Sequence, residues 1–201
     1  MKDEGMKRLI LASNSPRRRE LLSGLDIPFE VRVLPDISES CPDDLPVRLH
    51  AQYIAEEKAR AYVVASDELL LTADTIVVVD DRILGKPRDR AEAFEMLGLI
   101  SGRSHIVITG VCLRTQGRQS AFSVETKVTF KQLSDSEIGY YIDHYRPFDK
   151  AGAYGIQEWI GYIGVTSIEG SYFNVMGLPV QRICSDSLFR ESLGCLGRLV
   201  V

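Results

Sequence analysis

The sequence predicts an α/β fold built on a mixed β-sheet. Apolar runs of strand length alternate along the chain with stretches of helical periodicity, which is the pattern of an α/β protein. Two of these runs flank a short turn around Gln116 and Gly117, which indicates a hairpin and therefore a sheet that is not purely parallel. With 201 residues, 45% of them apolar and 26% charged, the chain is long enough to bury a sizeable core.

The first third of the chain predicts two strands and two helices. The strands are the apolar runs 9–12 and 29–33. A helix over 16–24 lies between them, because Ser15 is a good N-cap and the proline that follows it suits the first helical position. A long helix over 45–64 carries an apolar stripe at helical spacing.

The rest of the chain alternates between strands and helices up to residue 144 and is then rich in glycine and aromatic residues. Asp89 with Glu92 has the spacing of a capping box, and Ser134 is a second N-cap candidate. The predicted elements are a strand over 69–79, a return strand over 83–84, a helix from Asp89 to Leu99, strands over 104–114 and 120–131, a helix from Ser134 to His144, a strand over 160–168 within the loop-rich stretch 152–177, and a closing helix over 178–188.

Composition excludes several classes of protein. The net charge of −4, from 24 basic and 28 acidic residues, argues against a general nucleic-acid binder. No apolar run approaches the length of a membrane span, and the first seven residues are too polar for a secretory signal. The four cysteines show no C-x-x-C spacing, which argues against a structural zinc site. We therefore expect a cytoplasmic protein without nucleic-acid or membrane partners.

The first candidate site follows the first predicted strand. Ser13 and Ser15 precede a helix whose first turn carries Arg17 and Arg18. Free backbone N–H groups and the helix dipole favour an anion at such a position, and guanidinium groups recognise phosphate oxygens. The alternative is a basic turn that is simply solvated. The motif favours a phosphate-binding function.

Two ionisable residues occur where the pattern predicts burial. Asp74 stands in the middle of the apolar strand 69–79, where a carboxylate needs a partner, and it is a candidate general base or metal ligand. Lys58 falls on the apolar stripe of the helix 45–64 and needs an anion, for which Asp74, Glu39 and a bound phosphate are the candidates. The alternatives are a structural ion pair for the aspartate and a lysine that snorkels to the surface.

Two loops are weaker candidates. Lys86 sits between Gly85 and Pro87 at a loop tip, where a lysine is often merely exposed. Gln157 ends the small-residue stretch 149–157, and its amide can read the edge of a base, although a plain loop is the simpler interpretation. No nucleotide-binding Walker motif and no serine hydrolase motif is present, so those two classes are set aside.

Oxygen donors predict the type of metal. The acidic candidates are Asp36, Glu39 and Asp74, and the histidines lack the spacing of a zinc enzyme. Carboxylates acting on a phosphate substrate suit Mg²⁺ or Mn²⁺.

Five motifs occur in order along most of the chain. They are LASNSPRR (11–18), ADTIV (73–77), GKP (85–87), DKAGAYGIQ (149–157) and GSYFNVMGLP (170–179). Together they resemble the Maf family of nucleotide pyrophosphatases from about Leu9 to about Val180. The resemblance implies one Maf-like domain over 1–201: an elongated mixed sheet flanked by helices, with two lobes and a central cleft, similar to inosine triphosphate pyrophosphatase. It also makes a homodimer plausible.

The resemblance implies hydrolysis of a nucleoside triphosphate to the monophosphate and pyrophosphate, with a preference for dTTP and UTP. It assigns roles by motif: Asp74, Lys58 and Lys86 are catalytic, Ser13, Ser15, Arg17, Arg18, Thr75 and Gln157 bind substrate, and Glu39 and Asp74 bind a divalent cation, Mg²⁺ or Mn²⁺. Among these, Arg17, Thr75 and Gln157 are the specificity positions.

Some features depart from the family pattern, and two other functions remain open. Glu158 stands where the family pattern has a glycine, so the loop beyond Gln157 is expected to differ, and the match around Glu39 is loose. The alternatives are a pyrophosphatase for a modified nucleotide, such as 7-methyl-GTP or inosine triphosphate, and a non-catalytic nucleotide-binding regulator of septum formation.

Overall fold

The computed structural model describes residues 6–35 and 37–194. Asp36, one of the predicted metal donors, lies outside the described residues. The strands are β1 (Arg8–Leu11), β2 (Phe29–Val31), β3 (Glu68–Val79), β4 (Arg82–Leu84), β5 (Ser104–Arg114), β6 (Gln119–Phe130) and β7 (Val165–Glu169). The helices are α1 (Pro16–Ser23), α2 (His50–Arg60), α3 (Arg90–Ile100), α4 (Asp135–Tyr145), α5 (Trp159–Gly164), α6 (Tyr172–Met176), α7 (Val180–Cys184) and α8 (Ser187–Leu193), with 3-10 turns at Val47–Leu49 and Ala151–Ala153.

The strands form one seven-stranded mixed sheet. Its order is β2-β1-β3-β5-β6-β7, and β4 pairs with β3 beside this path. Strand β1 runs parallel to both β2 and β3, whereas β4 is antiparallel to β3 and β7 is antiparallel to β6. The prediction of an α/β fold with a mixed sheet flanked by helices is therefore confirmed.

The chain forms two compact units. The first unit comprises the segment that ends at Asp74, the segment Thr109–Val124 and the segment that begins at Gly177. The second unit comprises the segments Thr75–Ile108 and Glu125–Met176. The single domain with two lobes and a central cleft stays a prediction.

Helix α2 packs closely against the sheet of the first unit. The Thr72 hydroxyl on β3 donates to the Ala55 carbonyl of α2 at 2.6 Å. A Cβ atom on Gly110 of β5 would lie 2.2 Å from the backbone of Ala51, so only glycine leaves room for the helix there. Ala55, Ala59 and the strand residues beneath them are fully buried, which holds α2 at a fixed height above β3.

The second unit has a core of aromatic rings and a buried histidine. The His105 Nε2 lies 2.7 Å from the Tyr154 hydroxyl, and Phe130 packs edge-on against the Tyr154 ring at 5.2 Å between centroids. Burial lowers the pKa of His105 to about 4, so its imidazole is neutral at pH 7. In the same unit, Asn174 is fully buried and its amide donates to the Val107 carbonyl at 3.2 Å.

The N-cap residues that the sequence predicts for three helices are confirmed. The Ser15 side chain caps α1 by accepting from the Arg18 N–H, and Ser134 and Glu137 form a reciprocal capping box on α4. Asp89 caps α3, but the Glu92 carboxylate accepts from the Arg88 N–H instead, so the predicted capping box there is wrong.

Three predicted elements at the carboxyl end and one nearer the start are corrected. The strand predicted over 160–168 begins as helix α5 and becomes β7 only at Val165, because short apolar runs do not distinguish strand from helix. The closing helix over 178–188 is two helices, since Asp186 caps a new one by accepting from Leu188. Helix α6 lies where loops were predicted, and α2 is shorter than the predicted 45–64.

Within the described part of the chain, no helix combines the length and apolar character that crossing a bilayer requires.

We expect Gly110→Ala to lower the free energy of unfolding by about 2–3 kcal/mol, because the added methyl meets helix backbone and forces α2 away from β5. Gly98→Ala is the matched control: nothing lies within 4 Å of its added Cβ on α3, so we expect a gain of about 0.5–1 kcal/mol. Urea unfolding of both variants measures this. Unchanged stability of Gly110→Ala would contradict the close approach of α2.

Glu68 provides a prediction for acid stability. Two hydrogen bonds from the Arg32 guanidinium, at 2.6 and 3.0 Å, help to hold the pKa of the Glu68 carboxyl at about 2. A carboxyl whose pKa is depressed on folding stabilises the protein above its ordinary pKa, and that stability is lost as the pH falls towards 2. Because Arg32 is partly exposed, we expect about 1–2 kcal/mol rather than the full value of the shift.

Glu68→Gln should therefore lower the unfolding free energy at pH 7 and reduce its decline between pH 4.5 and about 2. Urea unfolding at pH 7 and pH 3 tests this. Glu30→Gln, which removes an exposed partner of Arg8, is the control and should change little. An unaltered pH dependence in Glu68→Gln would exclude this role for the Glu68–Arg32 pair.

Candidate functional site

Strand β3 is buried along its length except at two adjacent residues. Asp74 and Thr75 are partly accessible, whereas the other ten residues of the strand are buried. Adjacent residues of a strand point to opposite faces, so the two side chains lie on different sides of the sheet. The carboxylate of Asp74 is therefore accessible at a point where the rest of the strand is buried.

Lys58 neutralises this carboxylate in the first unit. Its ammonium, on α2, lies 2.9 Å from Asp74 Oδ1 and 2.7 Å from Glu39 Oε1. The side chains of Lys58 and Asp74 are each 14% exposed, whereas Glu39 is half exposed. Of the three partners that the sequence left open for Lys58, the structure shows both carboxylates, and a lysine that simply snorkels to solvent is excluded.

The start of α1 is held together by serine hydroxyls. Ser13 is buried, and its hydroxyl accepts from the Ser15 N–H at 3.2 Å and from an Arg18 Nη1 at 3.4 Å. The Arg18 Nε donates to the Gly177 carbonyl at 2.8 Å. These bonds fix the Arg18 guanidinium in one orientation, while Arg17, next to it, is partly accessible.

The charged groups of the first unit act on one another. Burial lowers the pKa of Arg18; the nearby charges of Asp74 and Glu39 raise it, and that of Arg17 lowers it. Four of the predicted site residues therefore share one electrostatic environment, together with Lys58. A cluster that alternates cations and carboxylates can bind an anion through the cations and orient water or a cation through the carboxylates.

Cys41 is a member of this environment that the sequence reasoning missed. Burial is the main cause that raises the pKa of its thiol, and the negative charge of Asp74 adds to the effect. Its Sγ lies 4.0 Å from the His50 carbonyl at the start of α2. No motif at Cys41 indicated this position. The fold, rather than the sequence spacing, brings its thiol under the influence of the Asp74 charge.

The two carboxylates are suitable donors for a hard divalent cation. Glu39 and Asp74 offer oxygen ligands that converge on the same ammonium, and oxygen is the donor that Mg²⁺ and Mn²⁺ prefer. Among the described residues, no group of three His, Cys, Asp or Glu side chains is arranged to hold a metal. The oxygen donors of Glu39 and Asp74 fit a hard divalent cation.

In the second unit, the Lys86 loop is joined to the stretch 149–157. The Gly152 N–H donates to the Gly85 carbonyl at 3.0 Å. Gly152 has φ +68, and a Cβ there would meet the Val77 side chain at 3.0 Å. Lys86 itself is exposed at the loop tip. Two motifs that are about 60 residues apart in sequence therefore form one backbone contact in this unit.

Gln157 carries an unsatisfied acceptor. Its Oε1 atom is buried and has no hydrogen-bond partner among the described residues. A buried polar atom without a partner is costly, so an outside hydrogen-bond donor at this atom would be favourable. Tyr154, the aromatic residue of the same stretch, is buried in the core against His105.

The structure thus groups the predicted residues by unit. The first unit holds Ser13, Ser15, Arg17, Arg18, Glu39, Lys58 and Asp74, and the second holds Thr75, Lys86 and Gln157. The sequence assigned no role to Lys150 or Tyr141, which contact Glu158 and Gly155 on either side of Gln157. The one available signal there was Glu158, a charged residue at an unexpected position.

Comparison with known proteins identifies a family and close relatives. A family model described as Maf-like protein matches residues 8–186. A dTTP/UTP pyrophosphatase of Parabacteroides distasonis is 59% identical over 181 residues, which cover 89% of this chain and 94% of the relative. Relatives of the same name are 59% identical over 181 residues in Phocaeicola vulgatus and 56% identical over 180 residues in Bacteroides thetaiotaomicron, covering 89% of this chain and 94% and 93% of theirs.

Solved structures give weaker similarity. A nucleoside-triphosphatase / dITP/XTP pyrophosphatase from Mycobacterium abscessus has a TM-score of 0.39 and 16% identity, over 63% of this chain and 75% of its own.

Proposed function

Because the chain belongs to the Maf family, we propose that it is a nucleoside triphosphate pyrophosphatase that converts dTTP and UTP to the monophosphate and pyrophosphate. Relatives that are 59% identical over most of both chains carry the name dTTP/UTP pyrophosphatase. At that similarity, the same reaction and substrate class are the simplest assignment for this chain.

The observation that carries the proposal is the burial of the Asp74 carboxylate and its ion pair with Lys58. A carboxylate 14% exposed in a buried strand is costly to maintain, and Lys58 is its direct cationic partner. A non-catalytic nucleotide-binding regulator needs cations for the phosphates, but it has no need of a carboxylate beside them. Asp74 therefore favours hydrolysis over binding alone.

The proposed chemistry is an attack by water on the α-phosphorus. The water oxygen bonds to phosphorus, the bond from phosphorus to the α–β bridging oxygen breaks, and pyrophosphate leaves with that oxygen. Asp74 orients the water and accepts its proton. The phosphate oxygens are contacted by cations and by the start of α1, and their charge is stabilised there. The proposed contacts are Ser13, Ser15, Arg17, Arg18, Lys58 and Lys86.

A divalent cation completes the proposal. Glu39 and Asp74 are the residues that would hold Mg²⁺ or Mn²⁺, because both offer oxygen ligands at the same ammonium. When bound, such a cation stabilises negative charge on phosphoryl oxygens. Lys58 lies 2.7 Å from Glu39 and 2.9 Å from Asp74 and so keeps these two carboxylates close together.

Gln157 is proposed to select the base. Thymine and uracil present an N3–H donor between two carbonyl oxygens, whereas cytosine presents an acceptor at N3. The buried Oε1 of Gln157, which has no partner within residues 6–35 and 37–194, is suited to accept from that N3–H. Thr75 and Arg17 are proposed as the other specificity positions. This pattern favours dTTP and UTP over dCTP and CTP.

The test of the proposed function is a substrate panel. Purified protein with Mg²⁺ is incubated with dTTP, UTP, dCTP, CTP, inosine triphosphate and 7-methyl-GTP, and pyrophosphate release is followed. Fastest turnover of dTTP and UTP supports the proposal. Preference for a modified nucleotide would replace the substrate assignment, and binding without release of pyrophosphate would favour the regulator.

We expect Asp74→Asn to lower kcat for dTTP by about 10²–10⁴-fold while the protein stays folded. The amide keeps the shape of the side chain and Glu39 still pairs with Lys58, so the fold loses little. Asp80→Asn is the control, because Asp80 is an exposed turn residue with φ 48, which asparagine tolerates. Near wild-type turnover in Asp74→Asn would remove Asp74 from the role of base.

Gln157→Ala is expected to lower the ratio of kcat/KM for dTTP to that for dCTP by about tenfold, since roughly one hydrogen bond to the base is lost. The kcat for dTTP should fall less than this ratio. Gln181→Ala removes an exposed glutamine whose amide contacts Ser185 at 3.1 Å, and it serves as the control. If the ratio is the same in Gln157→Ala and wild type, Gln157 does not read the base.

A further inference from the structure

The residue that follows Gln157 is held by two donors from different parts of the second unit. The Glu158 carboxylate accepts the Tyr141 hydroxyl of α4 on Oε2, and its Oε1 lies 3.1 Å from the Lys150 ammonium. Glu158 is also the N-cap residue of α5. One side chain therefore connects α4, the start of the 150–158 loop and the first turn of α5.

The Tyr141 hydroxyl passes this restraint on to the backbone of the loop. Tyr141 is fully buried, and its oxygen accepts from the Gly155 N–H at 3.0 Å. Burial, together with the hydrogen bond to Glu158, raises the pKa of Tyr141, so the hydroxyl keeps its proton at pH 7. An ionised carboxylate only accepts, which makes Tyr141 the donor to Glu158. The order of donation is Gly155 to Tyr141 to Glu158.

Lys150 closes the loop from its other end. Its side chain is 9% exposed, and its ammonium contacts Asp149 at 2.8 Å as well as Glu158. Such a buried cation needs its carboxylate partners to remain charged. A Cβ on Gly155 would lie 2.9 Å from the Glu158 carboxyl carbon and 3.1 Å from Lys150 Cε. The loop is thus tightly packed around this ion pair, and position 155 has room for a glycine but not for a side chain unless its neighbours shift.

We propose that Glu158 is a positioning residue for base selection: through Tyr141 and Lys150 it fixes residues 155–157, and thereby sets the direction of the Gln157 amide. This inference rests on the proposed function. Gln157 directly precedes Glu158, whose carboxylate has two buried partners, whereas the Oε1 atom of Gln157 has no partner in the described part of the chain. The orientation of the Gln157 amide therefore depends on the backbone that Glu158 restrains.

The test compares two Glu→Gln variants in the same unit. Glu158→Gln keeps the size of the side chain but cannot offer two acceptor oxygens. Glu137→Gln is the control, because Glu137 also pairs with a lysine and a hydroxyl, Lys131 and Ser134, but lies on the first turn of α4 away from the loop. We expect the ratio of kcat/KM for dTTP to that for dCTP to fall about tenfold in Glu158→Gln and to change less than about twofold in Glu137→Gln.

A second variant tests the route through Tyr141. Tyr141→Phe should lower the same ratio, and the double variant with Glu158→Gln should lower it no further than Glu158→Gln alone, because both act through one chain of hydrogen bonds. A ratio within about twofold of wild type in either single variant, measured where that variant is folded, overturns the proposal. Equal losses for dTTP and dCTP, with a lower Tm, assign Glu158 to stability alone and also overturn it.

Hydrogen exchange separates this inference from the proposed function. The Gly155 amide, which donates to Tyr141, should exchange faster in Glu158→Gln than in wild type or Glu137→Gln. If wild-type protein releases no pyrophosphate from dTTP, the proposed function is wrong, and the exchange measurement still tests the positioning. Unchanged protection of Gly155 in Glu158→Gln shows that Glu158 does not restrain the loop.

Discussion

A carboxylate placed in a buried strand is the constraint on which the first unit depends. Asp74 interrupts the apolar cover of β3, and an ion in that position has to be neutralised by a partner close to it. Lys58 meets this need only because α2 lies at a short and fixed distance from the sheet. Gly110 and the small buried residues of α2 allow that short distance. The neutralisation of Asp74 therefore depends on how closely α2 packs against the sheet.

The second unit also contains a buried charge that needs a partner, the ammonium of Lys150. Lys150 and Glu158 form an ion pair at the loop, and the Tyr141 hydroxyl donates to the same carboxylate. Removing one partner of such a pair leaves the other charge uncompensated, which is costly, so the pair restrains the loop to a conformation that keeps both partners together. The pair lies next to a glutamine with an unsatisfied acceptor, so conformational order is provided where a ligand is proposed to bind.

The parts of the fold that sequence could predict are those governed by local signals. Caps at Ser15 and Ser134 and the long apolar strand β3 act over a few residues, and they were found close to their true positions. The stretch from residue 152 to 188 was predicted less well. Its short helices depend on contacts with distant segments. For example, Asp186, the N-cap of α8, also accepts from the Ser120 hydroxyl of β6 at 2.8 Å.

For this protein, the sequence by itself determined the chemical groups and their order: serines and arginines at a helix start, a lone aspartate in a strand, and an amide in a small-residue loop. Tertiary structure decided which of these groups meet. It placed both Glu39 and Asp74 on Lys58, turned Tyr154 into the core and linked Glu158 to Tyr141. The reason is physical, because a buried charge or hydroxyl takes whichever partner the packing brings within about 3 Å, and that distance is set by the fold rather than by sequence spacing.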